Sequence, residues 1–270
     1  EFEAAAVGVD GLEADAPVVR YRQGGRERQL RCDVVVGCDG SHGVCRESIP
    51  AGAIALYETE YPVAWLGILA QVAPSTEELI YSYSQRGFAL HSMRSPTISR
   101  LYVQCRPDDE LASWPDERVW SELHARLAMP GFALAEGPIL EKGITAMRSL
   151  VVEPMQYRRL YLAGDAAHIV PATGAKGLNL AVNDVRILAE ALVERYRSGR
   201  DDLLRGYSAA CLRRVWRVQH FSWWMTQMLH RFEGESEFDH RLRLSQLRYV
   251  CSSRAAATTL AENYVGLEAV

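Results

Sequence analysis

The chain has 270 residues, of which 48% are hydrophobic, so it can bury one large core or two modest ones. Its 34 acidic and 30 basic side chains leave a net charge of -4, which offers no electrostatic footprint for nucleic acid or for an anionic membrane. No stretch reaches the roughly 18 unbroken apolar residues of a membrane span, and residues 1–20 lack the regions of a signal peptide. We therefore expect a cytoplasmic globular protein that binds neither nucleic acid nor membrane.

Six cysteines are scattered without any Cys-x-x-Cys pair, so we expect reduced thiols rather than a disulfide framework. They are Cys32, Cys38, Cys45, Cys105, Cys211 and Cys251. The first three, taken with His42, have unsuitable spacing for zinc, and no metal site is predicted.

The first part of the chain carries strand signals. Residues 18–21 are apolar except for Arg20, and Gly24 and Gly25 follow them, which predicts a hairpin turn. Residues 31–39 hold a continuous apolar run that ends in Gly and Asp, which is typical of a strand buried on both faces.

Between Pro62 and Cys105, short β-type runs alternate with turn-forming residues, which predicts an antiparallel meander. A helical period covers 116–127, and 159–165 is another short strand with an acidic end. Apolar residues then recur at helical spacing, which predicts an amphipathic helix from about 177 to 196. They are Leu178, Ala181, Val182, Val185, Leu188, Ala189 and Leu192.

The C-terminal part is also predicted to be helical, with one stripe of aromatic and methionine side chains. We interpret this stripe as core or dimer interface rather than as a ligand surface. Its members are Phe221, Trp224, Met225, Met228, Leu229 and Phe232.

The loop after the second strand is the most informative segment for chemistry. Asp165 stands at a strand's carboxyl end, and Gly174 and Gly177 let the backbone turn into a helix. Amides of Leu178 and Asn179 at that helix start would favour an anion, while Asp165 can accept hydrogen bonds from a polyol. This combination suits a reduced flavin and its ribityl chain, and an ordinary strand-loop-helix connection is the alternative.

Several long segments resemble the 4-hydroxybenzoate hydroxylase family of flavoproteins, and together they cover nearly the whole chain. GDAAHIVPATGAKGLN resembles the family's second flavin-binding motif, and CDGSHGVCR resembles its Asp-Gly motif. Further similar segments are ELIYSYSQRGFALHSMRS, SWWMTQMLHRF and AENYVGL. The resemblance implies an FAD-dependent monooxygenase that converts 4-hydroxybenzoate to 3,4-dihydroxybenzoate with NADPH and O2, through a flavin hydroperoxide and a substrate phenolate. It also implies a homodimer.

The implied fold is α/β, with an incomplete three-layer, Rossmann-like FAD-binding domain and an inserted antiparallel-sheet substrate domain. We expect the FAD-binding domain at 1–54 and 148–197, the substrate domain at 55–147, and a helical C-terminal region at 198–270. The G-x-G-x-x-G dinucleotide fingerprint is nowhere in the sequence. We therefore expect a front segment on the order of a hundred residues to lie outside it, which would weaken FAD retention by the chain alone.

Strand alternation predicts that Ser92 and Arg94 share one face, and that Arg100 and Tyr102 share a face of the next strand. A turn at 95–97 would bring these faces together as a carboxylate receptor, because arginine can grip both oxygens. A solvated sheet face is the alternative. The resemblance matches Ser92, Arg94 and Tyr102 to residues that hold the benzoate carboxylate.

The resemblance also implies a proton relay, in which Tyr81 hydrogen-bonds the substrate's 4-hydroxyl and Tyr264 hydrogen-bonds Tyr81. A phenolate is a better nucleophilic ring than a phenol, so removal of that proton speeds hydroxylation. Ala172 replaces a proline that is usual in the family, and its carbonyl faces the substrate hydroxyl in relatives. Taken singly, both tyrosines would more often be packing residues.

The resemblance matches His42, Arg46 and Arg148 to residues that help to hold the NADPH phosphates. All three could equally be surface cations. Three other readings of the chain stay open. The first is a hydroxylase of another para-substituted benzoate, such as an aminobenzoate. The others are a flavin-free regulator of lipidated GTPases, which uses the same fold, and a fragment that is inactive without its front segment.

Overall fold

The computed structural model of the chain describes residues 1–14 and 16–266. The described residues form two compact units. The first unit contains Glu1–Thr59 and Arg148–Ser222, and the second contains Glu60–Met147 and residues 223–266. The last four residues of the predicted helical region 198–270 lie outside the described residues.

The described part of the chain begins with consecutive strands and ends with four consecutive helices. The strands are β1 (Ala5–Asp10), β2 (Val18–Gln23), β3 (Arg26–Arg31), β4 (Val35–Gly37), β5 (Ala55–Ala70), β6 (Ile80–Ser84), β7 (Gly87–Ser95), β8 (Ile98–Cys105), β9 (Ile139–Glu153), β10 (Gln156–Tyr157), β11 (Leu160–Leu162) and β12 (His168–Ile169). The helices are α1 (Val44–Glu47), α2 (Asp116–Leu127), α3 (Gly177–Ser198), α4 (Asp202–Leu229), α5 (Glu237–Ser252) and α6 (Arg254–Val265). Short 3-10 turns occur at Leu111–Ser113, Gly164–Ala166 and Ala172–Gly174.

The predicted hairpin near the start of the chain is confirmed. Strands β2 and β3 pair antiparallel in continuous register, and β1 adds to the outer side of β2. Gly24 and Gly25, the two residues of the turn, both have positive φ, at 55° and 75°. A two-residue hairpin turn of this kind favours glycine because side chains are strained in that conformation.

A second small sheet of the first unit has the order β10-β11-β4, and β11 runs parallel to β4. All three residues of β11 are buried. The prediction for β4 was wrong in part, because the strand is only three residues long and Val36 is 38% exposed. Among the described residues β4 pairs with β11 alone, so the strand lies at the edge of its sheet rather than between two neighbours.

The predicted meander is confirmed for β6, β7 and β8, which pair consecutively and antiparallel. It was wrong for the first run, because β5 pairs with β8 and not with β6. The strand β9, which was not predicted, lies on the other side of β5, so the order in the second unit is β9-β5-β8-β7-β6. A nine-residue connection at 71–79 is long enough to carry the chain from β5 to the far edge, and run lengths alone do not reveal such a crossing.

The two best-patterned helices are confirmed. Helix α2 has the predicted bounds, and α3 extends the predicted helix by two residues. The apolar stripe of α3 does not face the core as a whole, because Leu178, Val182 and Val185 are 77%, 60% and 51% exposed. Of the stripe, only Leu188 is among the buried residues of α3, which are Leu180, Asp184, Leu188 and Ala191.

The aromatic and methionine stripe of the C-terminal part lies mostly in the interior, which supports a structural role. Its four buried members are Phe221, Met225, Met228 and Leu229. All six cysteines are free. Within residues 1–14 and 16–266, no helix has the length and apolar character needed to cross a membrane.

Close packing between β4, α1 and β11 yields a stability prediction. A Cβ at Gly37 would lie 2.6 Å from the Cys45 Cβ and 3.0 Å from a Leu162 methyl carbon. We expect Gly37→Ala to lower the free energy of unfolding by about 1–3 kcal/mol, because overpacking forces neighbours to move. Urea unfolding would measure this change.

Gly206→Ala is the matched control in the same unit. Gly206 lies in α4 and has no atom within 4 Å of an added Cβ. This substitution should raise stability by up to about 1 kcal/mol, because alanine is the better helix former. Equal effects of the two substitutions would contradict the packing described for β4.

Candidate functional site

A cleft of about 410 Å³ opens in the first unit at the carboxyl ends of β4 and β11. We call it the strand-end cleft. Because β4 and β11 are parallel neighbours, the loops that follow them leave the sheet at the same edge, which is where open α/β sheets bind ligands. The cleft is lined by Cys38, Gly40, Ala163, Gly164, Asp165, Ala181, Val182 and Val185.

The loop after β11 carries Asp165 to the cleft wall. We call residues 163–167 the Gly164 turn. Gly164 has φ +62°, and the Ala167 N–H donates to the Gly164 carbonyl at 2.8 Å. Asp165 is exposed while Gly164 and Ala166 on either side of it are buried. The predicted polyol-binding carboxylate therefore stands at the solvent side of a tight turn and lines the cleft.

The loop after β4 is fixed by Asp39 and Arg46. Asp39 Oδ2 accepts the Cys45 N–H at 2.9 Å, at the start of α1. Arg46 donates from Nη2 to the Ser41 carbonyl at 2.6 Å and from Nη1 to the Ala166 carbonyl at 3.2 Å. The Arg46 guanidinium thus joins the two loops that border the strand-end cleft.

The other two residues predicted to hold NADPH phosphates have different settings. His42 is exposed in the same loop as Arg46. Arg148 is half-buried in the first unit, and its Nη1 lies 3.5 Å from a Glu58 carboxylate oxygen. The structure therefore leaves His42 open to solvent but gives Arg46 and Arg148 intramolecular partners.

The start of α3 has the character of an anion site. No side chain caps this helix, and its first intrahelical hydrogen bond runs from the Leu180 N–H to the Lys176 carbonyl. The amides of Leu178 and Asn179 precede that bond, and both residues are exposed. Such uncapped amides at the positive end of a helix dipole stabilise negative charge. Together with the Asp165 carboxylate, they fit the two needs of a flavin, a polyol acceptor and an anion-stabilising helix end.

The approach to α3 is tightly packed. A Cβ at Gly174 would lie 2.4 Å from the Ser222 Oγ, and Ala175 has φ +51°. Ala172, predicted to offer its carbonyl to the substrate, is exposed in the 3-10 turn that precedes Gly174. The glycine at 174 is needed for close approach, as the Gly-rich pattern suggested.

In the second unit, the predicted carboxylate receptor is partly assembled. Ser92 pairs with Arg100 across β7 and β8, its hydroxyl donates to the Arg100 carbonyl at 3.0 Å, and Arg100 Nε donates to that hydroxyl at 3.3 Å. The Arg100 guanidinium lies 5.8 Å from the centre of the Tyr102 ring. The predicted turn at 95–97 is present between β7 and β8.

Arg94 occupies an irregular position that alternation did not predict. The register of β7 and β8 shifts between Met93 and Ser95, so a bulge lies at Arg94. A bulge interrupts the two-residue alternation and redirects a side chain. The shared face predicted for Ser92 and Arg94 therefore does not follow from strand geometry, although Arg94 is exposed and available to a ligand.

The two tyrosines of the predicted relay are in contact. Their hydroxyl oxygens are 3.5 Å apart, and their rings meet edge to face with centroids 6.4 Å apart. Burial raises the pKa of Tyr81, and the hydrogen bond with Tyr264 raises it further. Tyr81 therefore stays a neutral phenol that can both accept and donate a hydrogen bond.

Sequence reasoning missed a buried hydrogen-bonded pair, Trp65 and His230, which packs against Phe88 and Tyr102 in the second unit. The Trp65 indole N–H donates to His230 Nε2 at 2.6 Å, and His230 Nδ1 lies 3.0 Å from the Thr226 carbonyl. The Trp65 ring lies 4.8 Å from both the Phe88 and Tyr102 ring centres. The pair is separated by 165 residues, and no local pattern signals it.

Residues 3–222 match a protein-family model described as FAD binding domain. The chain belongs to the FAD-binding domain family. FAD is the cofactor of this family. The predicted α/β fold class and the flavoprotein assignment are confirmed.

Two comparisons add detail to the family assignment. The chain is 52% identical over 254 residues to p-hydroxybenzoate hydroxylase of Acinetobacter baylyi, an alignment that covers 94% of this chain and 63% of that protein. It is also 26% identical over 214 residues to a probable NADH-specific resorcinol 4-hydroxylase of Rhodococcus jostii, covering 74% of this chain and 37% of that protein. The chain thus spans under two thirds of the length of these curated relatives.

A solved structure with a similar fold is p-nitrophenol 4-monooxygenase from Pseudomonas putida. Its TM-score is 0.76 at 17% identity, and the match covers 98% of this chain and 67% of that chain. At such low identity the likeness concerns the fold alone.

The buried His230 gives a pH-dependent prediction. Burial lowers the pKa of His230 to about 3 in the folded chain, from an ordinary 6.5. The unfolded chain therefore binds the extra proton between these two values. The stability that the neutral imidazole contributes is complete above pH 6.5 and falls as the pH drops towards 3, by about 1.4 kcal/mol per pH unit.

His230→Gln isolates this effect, because glutamine offers an amide oxygen to the Trp65 N–H but does not titrate. Denaturant unfolding of both proteins between pH 4.5 and 7 would measure the difference in their slopes. We expect the wild-type free energy of unfolding to fall more steeply with acid than that of His230→Gln. If the free energy of unfolding falls equally with acid in both proteins, His230 takes up its proton in the folded chain as readily as in the unfolded chain, which would contradict the lowered pKa.

Proposed function

We propose that this protein is a flavin-dependent monooxygenase that hydroxylates 4-hydroxybenzoate to 3,4-dihydroxybenzoate, with NADPH as reductant and O2 as oxidant. The observation that carries the proposal is the 52% identity to p-hydroxybenzoate hydroxylase over 94% of the chain. The contact between the Tyr81 and Tyr264 hydroxyls supports it, because that pair suits a substrate with an acidic hydroxyl.

The first unit supplies the cofactor contacts. Asp165 accepts hydrogen bonds from the ribityl hydroxyls, and the amides of Leu178 and Asn179 favour the negatively charged, reduced flavin. FAD, when bound, supplies the activation of oxygen, which amino-acid side chains cannot perform. His42, Arg46 and Arg148 help to hold the NADPH phosphates, with Arg46 acting mainly through the loop that it fixes.

The second unit supplies the substrate contacts. Arg94, Ser92 and Tyr102 hold the benzoate carboxylate, for which a guanidinium is the strongest available partner. Arg100 keeps the Ser92 hydroxyl in place through its Nε. Ala172 belongs to the first unit, and its carbonyl is the proposed acceptor for the substrate hydroxyl; alanine keeps this acceptor where proline would also restrict φ.

Tyr81 and Tyr264 manage the substrate's phenolic proton. Tyr81 accepts a hydrogen bond from the 4-hydroxyl and donates one to Tyr264. As Tyr81 takes up the substrate proton it passes its own proton to Tyr264, and Tyr264, which is partly exposed, releases a proton to solvent, so no buried tyrosinate remains. Because burial keeps the pKa of Tyr81 high, the negative charge stays on the substrate ring, where it promotes attack on oxygen.

The nearest alternative is hydroxylation of another para-substituted benzoate. A 4-amino group is not acidic, so the Tyr81 and Tyr264 pair would have no proton to remove. We also propose a cytoplasmic homodimer, which rests on the resemblance and on the charge and hydropathy of the chain.

Two measurements on the purified protein test the proposed function. An absorbance spectrum should show bound flavin, and 4-hydroxybenzoate should accelerate NADPH oxidation with formation of 3,4-dihydroxybenzoate. Faster turnover of 4-aminobenzoate would favour the alternative hydroxylase. A protein that never binds FAD would contradict the proposal and favour a flavin-free binding role.

Tyr81→Phe separates binding from chemistry. Phenylalanine keeps the ring but removes the hydroxyl that contacts Tyr264, so we expect hydroxylation to fall by about 10²-fold or more while the benzoate dissociation constant changes little. Rapid-mixing measurement of product formation and a titration of substrate binding would provide both numbers.

Arg94→Ala is the contrasting variant, since it removes the proposed carboxylate partner and should weaken benzoate binding by about 10-fold or more. Equal loss of binding and hydroxylation in Tyr81→Phe would count against the relay. An unchanged dissociation constant in Arg94→Ala would remove Arg94 from the carboxylate role.

A further inference from the structure

We infer that Asp184 is a positioning residue for the cofactor, which acts with His168 to hold the Gly164 turn at the strand-end cleft. Asp184 Oδ2 accepts the Gly164 N–H at 3.1 Å and lies 2.6 Å from His168 Nε2. Asp184 is fully buried, and His168 is 1% exposed. The carboxylate therefore touches the residue directly before Asp165 without reaching the cleft itself.

A buried carboxylate needs partners of this strength. Moving an ionised carboxylate out of water is costly unless charge-assisted hydrogen bonds replace its hydration, and the Gly164 amide and the His168 ring provide two such bonds. The Cys211 thiol also interacts with the Asp184 carboxylate. Burial raises the pKa of this thiol, and the negative charge of Asp184 raises it further. Both hydrogen bonds fall on Asp184 Oδ2, which fixes that oxygen beside the Gly164 turn.

The strand that leads into the Gly164 turn is held by a second residue, Tyr207. The Tyr207 hydroxyl donates to the Leu162 carbonyl at 2.7 Å, and both side chains are buried. The backbone is thus fixed at Leu162 by Tyr207 and at Gly164 by Asp184. Because Gly164 has φ +62°, a small rotation there would swing Asp165 away from the cleft.

Asp184 also connects the turn to the helix that forms the opposite wall. It lies on α3, three residues after Ala181 and one before Val185, and both of these line the strand-end cleft. The same helix begins with the Leu178 and Asn179 amides. One buried carboxylate therefore sets the distance between Asp165 and α3, the two features that the flavin needs together.

The inference rests on the proposed function for the contact between Asp165 and the FAD ribityl chain. If Asp184 acts through Asp165, its loss matters only while Asp165 is present. A double-mutant cycle on FAD affinity measures this dependence, because residues that act independently give additive changes.

The experiment uses the full protein stripped of FAD, with the FAD dissociation constant obtained from flavin fluorescence. Asp165→Ala and Asp184→Ala should each weaken FAD binding about tenfold, the effect of one charge-assisted hydrogen bond. The double variant should bind FAD as Asp165→Ala does. Asp184→Asn keeps an oxygen acceptor and should lose less than Asp184→Ala.

Ser208→Ala is the matched control, since the Ser208 hydroxyl is buried in the same unit and accepts the Met155 N–H at 2.9 Å, so the substitution removes a buried hydrogen bond whose partner is not part of the Gly164 turn. It should lower the unfolding midpoint without changing the FAD dissociation constant. Additive losses in the double variant, or an unchanged FAD dissociation constant in Asp184→Ala, would overturn the inference.

Hydrogen exchange of segment 163–167 in the FAD-free protein provides a readout that does not involve the cofactor. Asp184→Asn is measured here in case Asp184→Ala does not fold. The amide hydrogens of residues 163–167 should exchange several-fold faster in Asp184→Asn than in Ser208→Ala. Equal exchange rates would overturn the inference. One further outcome separates the two proposals. If Asp165→Ala alone leaves the FAD dissociation constant unchanged, while hydrogen exchange accelerates in Asp184→Asn, then Asp184 holds the Gly164 turn but the proposed contact between Asp165 and the ribityl chain is wrong.

Discussion

The site in the first unit depends on the parallel pairing of β4 with β11. Two adjacent parallel strands end at one edge of a sheet, and their loops must therefore leave it side by side. The register of Val35 with Leu160 and of Gly37 with Leu162 places the loop of Asp39 beside the Gly164 turn. An antiparallel pairing would have sent these loops to opposite ends, with no cleft between them.

Side chains then stabilise what the strand pairing brings together. Arg46 joins the two loops through backbone carbonyls, and Asp184 ties the Gly164 turn to α3. Neither Arg46 nor Asp184 is among the residues that line the strand-end cleft. A cleft that must orient a large cofactor needs such supporting contacts, because a loop free to rotate at Gly164 would spend much of its time with Asp165 misdirected.

The fold alone does not determine the reaction. A Diels-Alderase from pyrroindomycin biosynthesis has a TM-score of 0.76 to this chain at 18% identity, the same score as the p-nitrophenol monooxygenase. The proposal of aromatic hydroxylation rests instead on the 52% identity to p-hydroxybenzoate hydroxylase, and the contact between Tyr81 and Tyr264 in the second unit supports it. We propose that the second unit contacts the substrate and that the first unit holds the cofactor.

Local patterns predicted local structure well. The period of α2 and α3 and the Gly24-Gly25 turn depend on near neighbours in sequence, so their spacing is visible in the sequence itself. The pairing of β5 with β8 and the exposure of Val36 depend on which strands become neighbours, and no short run of residues encodes this.

The candidate site divides in the same way. Asp165 and the start of α3 lie within one motif, so a single stretch of sequence indicated both. The bulge at Arg94 arises from a one-residue mismatch between two strands, and the Trp65 and His230 pair spans 165 residues. Asp184 was hidden for another reason, because a charged residue on a helix is usually read as part of its solvated face.

A crystal structure of the protein with FAD bound tests the cofactor assignment most directly. We expect a ribityl hydroxyl within hydrogen-bond distance of the Asp165 carboxylate, and the flavin ring beside the amides of Leu178 and Asn179. A flavin bound elsewhere, with Asp165 in contact only with water, would contradict the account.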